Sequence, residues 1–218
     1  MSLAIDWAVW EPRFSQFLTR SMAADSAHDL THVQRVVTTA KQLAAAEHAI
    51  LEIVIPAAWL HDCVIVPKNA PDRALASTMA AQAARAFLAE CDYPAAYLAP
   101  IEHAIAAHSF SAGIAPRTLE AKTLQDADRL DALGAIGIAR CFAVGGALGR
   151  PIYDPHEPLP VTRPPDDRAN SVDHFFVKLL KLEATMHTAA GRDEARRRTE
   201  FMRAFLQQLG REIGVEHQ

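Results

Sequence analysis

Three cysteines, Cys63, Cys91 and Cys141, are all that the 218 residues hold, and none forms a CxxC pair. That excludes a disulfide framework and a cysteine-built zinc site, and points to a reducing, cytoplasmic setting. Nine glycines are too few to punctuate a sandwich or a barrel. No run of about 18 apolar residues occurs, so no membrane span is expected. The first ten residues lack a basic segment followed by an apolar one, so export by a signal peptide is not expected either. Charge of one sign is also missing: 22 basic side chains face 26 acidic ones for a net charge of −4. Nothing in that balance draws the chain toward long DNA or RNA.

Apolar residues make up 50% of the chain, enough for a buried core, and alanine and leucine dominate over β-branched runs. The pattern predicts an all-α fold, a single-domain helical bundle over residues 1–218. Val33, Val36, Val37, Ala40, Leu43 and Ala44 lay one stripe along a helix that His32 opens. Ile50 to Val66 reads as a buried helix ended by Pro67, with His61 and Asp62 near its C-terminal end. Asp72 is placed to cap a helix reaching about Glu90, and Pro94 starts another whose apolar face, Leu98, Ile101 and Ile105, is interrupted by His108. One helix is expected from about Leu119 to Val144, stopped by Gly145-Gly146. Six of the 13 prolines crowd a stiffened loop at about 149–170. Helical stripes at Val172–Met186 and Met202–Ile213 then fill about 171–214.

Certain polar residues do not fit a bundle without chemistry. His61-Asp62 stands in an apolar helix, where a buried carboxylate needs a charge partner or a metal. His28 and His32 are one helical turn apart, and His32 points inward with its stripe. Asp128 and Asp131 share a face beside Leu130 and Leu133. Two imidazoles and two carboxylates from three helices form a mixed nitrogen and oxygen shell that suits manganese, iron, cobalt, nickel or zinc.

At this point the sequence resembles a family. The order His32, His61-Asp62, Asp128 is similar to the signature of HD-domain phosphohydrolases. The segments His28–His32, Gln125–Ala132, Gly134–Gly137 and Gly149–Pro155 resemble the small stand-alone bacterial members along nearly the whole chain. The resemblance implies one divalent ion, Mn, Mg, Co, Ni, Fe or Zn, on His32, His61, Asp62 and Asp128. It also implies a small phosphate ester or anhydride as substrate, commonly a nucleotide; a nucleoside triphosphate losing pyrophosphate and a monophosphate losing orthophosphate both fit the same metal site. A Glu-Asp pair soon after the His-Asp dipeptide, usual in relatives that degrade the stringent-response nucleotide, is replaced by Cys63-Val64-Ile65-Val66. The Gly-Tyr-Pro mark of cyclic-dinucleotide phosphodiesterases is missing as well.

Within that frame Asp131 is a candidate to orient or deprotonate water, with a salt bridge as its plainer role. His108 is a candidate proton donor or phosphate contact, or else a hydrogen-bonded core histidine. Lys178 and His174, with Lys181, form a basic strip for phosphate or a solvated face, and Arg150 with the proline-rich loop is a candidate closure over substrate. Asp29 is expected to hydrogen-bond a ligand histidine or Arg129 rather than the metal, or more simply to cap a helix. Two rival readings are a non-catalytic HD-like module that senses metal or nucleotide, and a di-iron oxygenase on a related scaffold.

Overall fold

In a computed structural model that describes residues 5–22, 30–64, 66, 74–109 and 112–215, every regular element among the described residues is a helix. By backbone packing the chain divides into two compact units, residues 1–128 and 129–218.

The first unit holds α1 (Trp7–Met22), α2 (Leu30–Glu47), α3 (Leu51–Leu60), α4 (Ala76–Glu90), α5 (Ala95–His108) and all but the end of α6 (Leu119–Leu130). Its centre is α3, in which Ile53 to Leu60 are all buried and against which α1, α2, α4 and α5 pack. A helix that is apolar all round has no face to offer water, and each large side chain so buried contributes roughly 1.5–3 kcal/mol. Pro56 brings no N–H to the helix, which releases the Glu52 carbonyl; the buried Tyr93 hydroxyl donates to it at 2.7 Å. The expected stripe of α2, from Val33 to Ala44, is buried as its spacing predicts. Periodicity did not announce α1, whose Phe14 and Leu18 are fully buried. The helix expected as far as Val66 stops at Leu60, so His61 and Asp62 occupy the turn after it. The proposed Asp72 cap and Pro67 stop lie outside the described residues, as do His28 and Asp29.

The second unit contains α7 (Gly134–Ala147), α8 (Asp173–Val177), a 3-10 helix (Leu179–Thr185) and α9 (Ala189–Glu212), with α7 and the 3-10 helix packed on α9. The single helix expected over 119–144 breaks at residues 131–133. There the N–H groups of Ala132 and Leu133 turn back to the carbonyls of Arg129 and Leu130 at 3.1 and 3.0 Å. Gly134 follows with φ +70°, a left-handed angle, and the Arg198 side chain lies 3.2 Å from where a Cβ would stand. Gly145-Gly146 does not stop α7, which continues to Ala147. Gly145 instead admits Ser171, whose Oγ would lie 2.1 Å from a Cβ at that position. The stripe expected from Val172 to Met186 is split, because α8 ends at Val177 and the chain tightens into the 3-10 helix. His174, Lys178 and Lys181 therefore do not continue along one α-helical face. Among the described residues no single helix is long and apolar enough to cross a membrane.

Candidate metal centre

Three helices of the first unit deliver side chains to one place. His32 sits in the first turn of α2, His61 and Asp62 directly follow α3, and Asp128 lies in the last turn of α6. The Thr118 hydroxyl accepts the Ala121 N–H at 3.2 Å to start α6, and buried Ala121, Leu124 and Ala127 seat it. His32 Nε2 stands 3.4 Å from Asp128 Oδ1 and 4.0 Å from Asp62 Oδ2. His61 Nε2 stands 3.5 Å from Asp62 Oδ2 and 4.0 Å from Asp128 Oδ1. Two donor atoms each held roughly 2.1 Å from one cation lie about 3.4 Å apart at a tetrahedral angle and about 4 Å apart at a wide one. The side chains gather as two overlapping triads, His32 with His61 and Asp128, and His61 with Asp62 and His108, at separations compatible with an ion.

The electrostatics agree with that chemistry. The Nδ1–H of His61 donates to the Ala58 carbonyl at 2.8 Å, so in the neutral ring Nε2 carries the lone pair. That Nε2 is fully buried and has no hydrogen-bond partner among the described residues. Burial is the largest influence on His61 and holds its pKa below the ordinary histidine value, although Asp62 and Asp128 pull the other way. Burial pushes the Asp62 carboxyl up, but His61, His108 and His32 together bring it well below the usual carboxylate range. The same contest, burial against His32, His61 and His108, leaves Asp128 lowered. Two ionised carboxylates and an orphaned imidazole nitrogen at the carbonyl ends of helices form a donor set that fits a divalent cation. Asp62 and Asp128 are 38% and 29% exposed whereas His61 is at 0%, so solvent and any ligand approach from the carboxylate side.

His108, the last residue of α5, joins the cluster: its Nε2 is 3.5 Å from Asp62 Oδ1, and its ring centroid is 5.0 Å from that of His61. Burial lowers its pKa, but the hydrogen bond and charge of Asp62, with Asp128 behind, outweigh burial and raise it. Its Nδ1–H donates to the Ile105 carbonyl at 2.7 Å. The next two carbonyls of α5 also accept from side chains. Ser77 Oγ of α4 donates to Ala106 at 3.0 Å, and Gln125 Nε2 of α6 donates to Ala107 at 2.7 Å. Sequence reading assigned neither Ser77 nor Gln125 a role; Gln125 opens the Gln125–Ala132 segment of the family resemblance and lies one helical turn before Asp128, whereas nothing marked Ser77.

The other candidates belong to the second unit. Asp131 lies in the turn beyond α6, 4% exposed, and is ion-paired with Arg140 of α7. His174 Nδ1 is 2.8 Å from Asp167 Oδ2, and Lys178 is the hinge between α8 and the 3-10 helix. Arg150 follows α7, its N–H donating to the Gly145 carbonyl at 2.9 Å.

The HD domain family model matches residues 29–133, a span that contains His32, His61, Asp62, His108 and Asp128. The uncharacterized protein YpgQ of Bacillus subtilis (strain 168) is 35% identical over 192 residues, which cover 86% of this chain and 85% of YpgQ. An HD-superfamily hydrolase from Bacillus thuringiensis superposes with a TM-score of 0.74 at 34% identity, covering 94% of this chain and 97% of its own. The crystal structure of B. subtilis YpgQ in complex with ADP superposes with a TM-score of 0.68 at 32% identity, over 93% of this chain and 96% of that one.

Proposed function

This chain belongs to the HD superfamily of hydrolases, among the small bacterial proteins that include YpgQ, and on that premise we propose that it is a divalent-metal-dependent phosphohydrolase acting on a nucleotide. The observation that carries the reading is the buried, unpartnered Nε2 of His61 beside two ionised carboxylates. Its nucleotide part is supported by the ADP bound to YpgQ.

His32, His61, Asp62 and Asp128 would hold the ion. When bound there, a divalent ion neutralises charge on a phosphoryl oxygen and acidifies water. The protein's own residues supply orientation. Ala58 fixes the tautomer and direction of His61, and the hydrophobic seat of α3 keeps that ring from turning away. His108, aimed at Asp62, is the group set to hydrogen-bond a phosphate oxygen or pass a proton to the leaving group. The reaction so drawn uses residues of the first unit alone, and Asp131 serves as the anchor of Arg140.

The test is a panel of nucleoside mono-, di- and triphosphates with separate orthophosphate and pyrophosphate detection, each run with several divalent ions. Metal-dependent turnover of at least one member is expected. His61→Ala and Asp128→Ala should lose it by at least about 100-fold, the scale of removing a group essential to charge stabilisation, with helix content unchanged. Nucleotide binding without turnover of any member would replace the enzyme by a sensor.

A further inference from the structure

The carbonyls in the last turn of a helix have no following helical N–H, so each needs another donor or water. In α5 these donors are side chains from three different places. Ile105 accepts from His108 itself, Ala106 from Ser77 of α4, and Ala107 from Gln125 of α6. Ser77 and Gln125 are both 3% exposed, so neither bond is traded easily for one to water. Directly after this capped turn the backbone becomes extended at Ser109, φ −80° and ψ 130°. His108 is therefore the last helical residue, and the position of its ring follows from where those carbonyls are held.

The two donors come from the elements that matter for this placement. Gln125 stands one turn before Asp128 on α6, so its bond to Ala107 joins the helix of one carboxylate to the residue next to His108. Ser77 fixes the same turn from a different neighbour, α4, which packs along α5. The result is that His108 Nε2 faces Asp62 Oδ1 at 3.5 Å.

We propose that Gln125 and Ser77 are positioning residues that act through His108, by clamping the Ala106 and Ala107 carbonyls so that its Nε2 is held toward Asp62. The inference rests on His108 working at the site proposed above, yet its physical part can be read without turnover. The first measurement is the ring nitrogen and Nδ1 proton resonances of His108 in the metal-free, full-length protein, with those of His174, which is paired with Asp167, as the internal control. Gln125→Leu and Ser77→Ala should shift the His108 signals and leave those of His174 in place, while Ser77→Thr, which keeps the hydroxyl, should stay closer to the parent than Ser77→Ala. The second is turnover in a double-mutant cycle. Gln125→Leu is expected to lower kcat by about tenfold or more in the parent and by less than about twofold in a His108→Ala background, since a residue acting only through another has nothing left to act on. Affinity for Mn2+ alone should change by less than about threefold.

Unchanged His108 resonances in both Gln125→Leu and Ser77→Ala would overturn the proposal, as would equal kcat losses in the two backgrounds. Should Gln125→Leu fail to fold, Ser77→Ala, which removes a single oxygen, carries both measurements. Should no nucleotide be hydrolysed, the functional reading fails while the resonances alone still decide the clamp.

Discussion

Glu157 accepts hydrogen bonds from the N–H groups of Val161, Thr162 and Arg163, at 2.7, 2.5 and 3.3 Å, and from the Thr162 hydroxyl at 2.8 Å. The backbone and hydroxyl of Thr162 contribute most to holding its pKa down to about 2, against an ordinary value of 4.5. Arg163, set by this turn, makes a forked contact at 2.5 and 2.8 Å with the fully buried Asp173 carboxylate. A single carboxylate thus orders the proline-rich loop that the prolines only stiffen. Because the folded pKa lies below the unfolded one, the stabilisation is complete above about pH 4.5 and is lost as pH falls through about 2. Glu157→Gln keeps the shape without the charge. Its deficit in loop protection, followed by amide exchange of Thr162, is expected to be greatest above pH 5 and to shrink steadily in acid; a deficit independent of pH would rule out the charge as the cause.

Within one element, α7, three of its four glycines do different work. A Cβ on Gly137 would fall 2.2 Å from the Ala132 carbonyl oxygen, a backbone atom of the preceding turn that cannot swing aside. A Cβ on Gly145 would meet Ser171 Oγ, whereas one on Gly146 would meet nothing within 4 Å. Gly137→Ala is therefore expected to destabilise by about 1–3 kcal/mol or more, as forced overpacking does. Gly146→Ala should stabilise by roughly 0.4–1 kcal/mol through the loss of unfolded-state freedom. Urea unfolding of the two variants provides the comparison, and equal effects would mean that α7 does not approach Ala132 as described.

At the scale of the whole molecule, a metal held by the proposed side chains from α2, the end of α3 and α6 would link residues 96 positions apart, from His32 to Asp128. A ligand that binds only the folded chain at about 100 times its Kd adds roughly 2.7 kcal/mol, which for this size raises Tm by about 5–10 °C. Saturating Mn2+ should produce that rise in the parent, EDTA should reverse it, and His61→Ala should show none. A full rise in His61→Ala would place the ion elsewhere.

What the sequence determined by itself was whatever is written locally. The stripe of α2, the all-round apolar character of α3 and the His-Asp dipeptide after it report how side chains face, because helical period and short motifs are properties of neighbours in the chain. The order of His32, His61, Asp62 and Asp128 led to the expectation that they share an ion; the structure gathers two overlapping triads, His32, His61 and Asp128, and His61, Asp62 and His108. Only the tertiary structure decided where helices end. The break before Gly134 meets Arg198, the run of α7 past Gly145 meets Ser171, the Glu52 carbonyl freed by Pro56 meets Tyr93, and the end of α5 meets Ser77 and Gln125. Each depends on a polar group or an atom's bulk arriving from far along the chain, and periodicity, which shows a face to be apolar, carries no record of which distant donor will satisfy a given carbonyl.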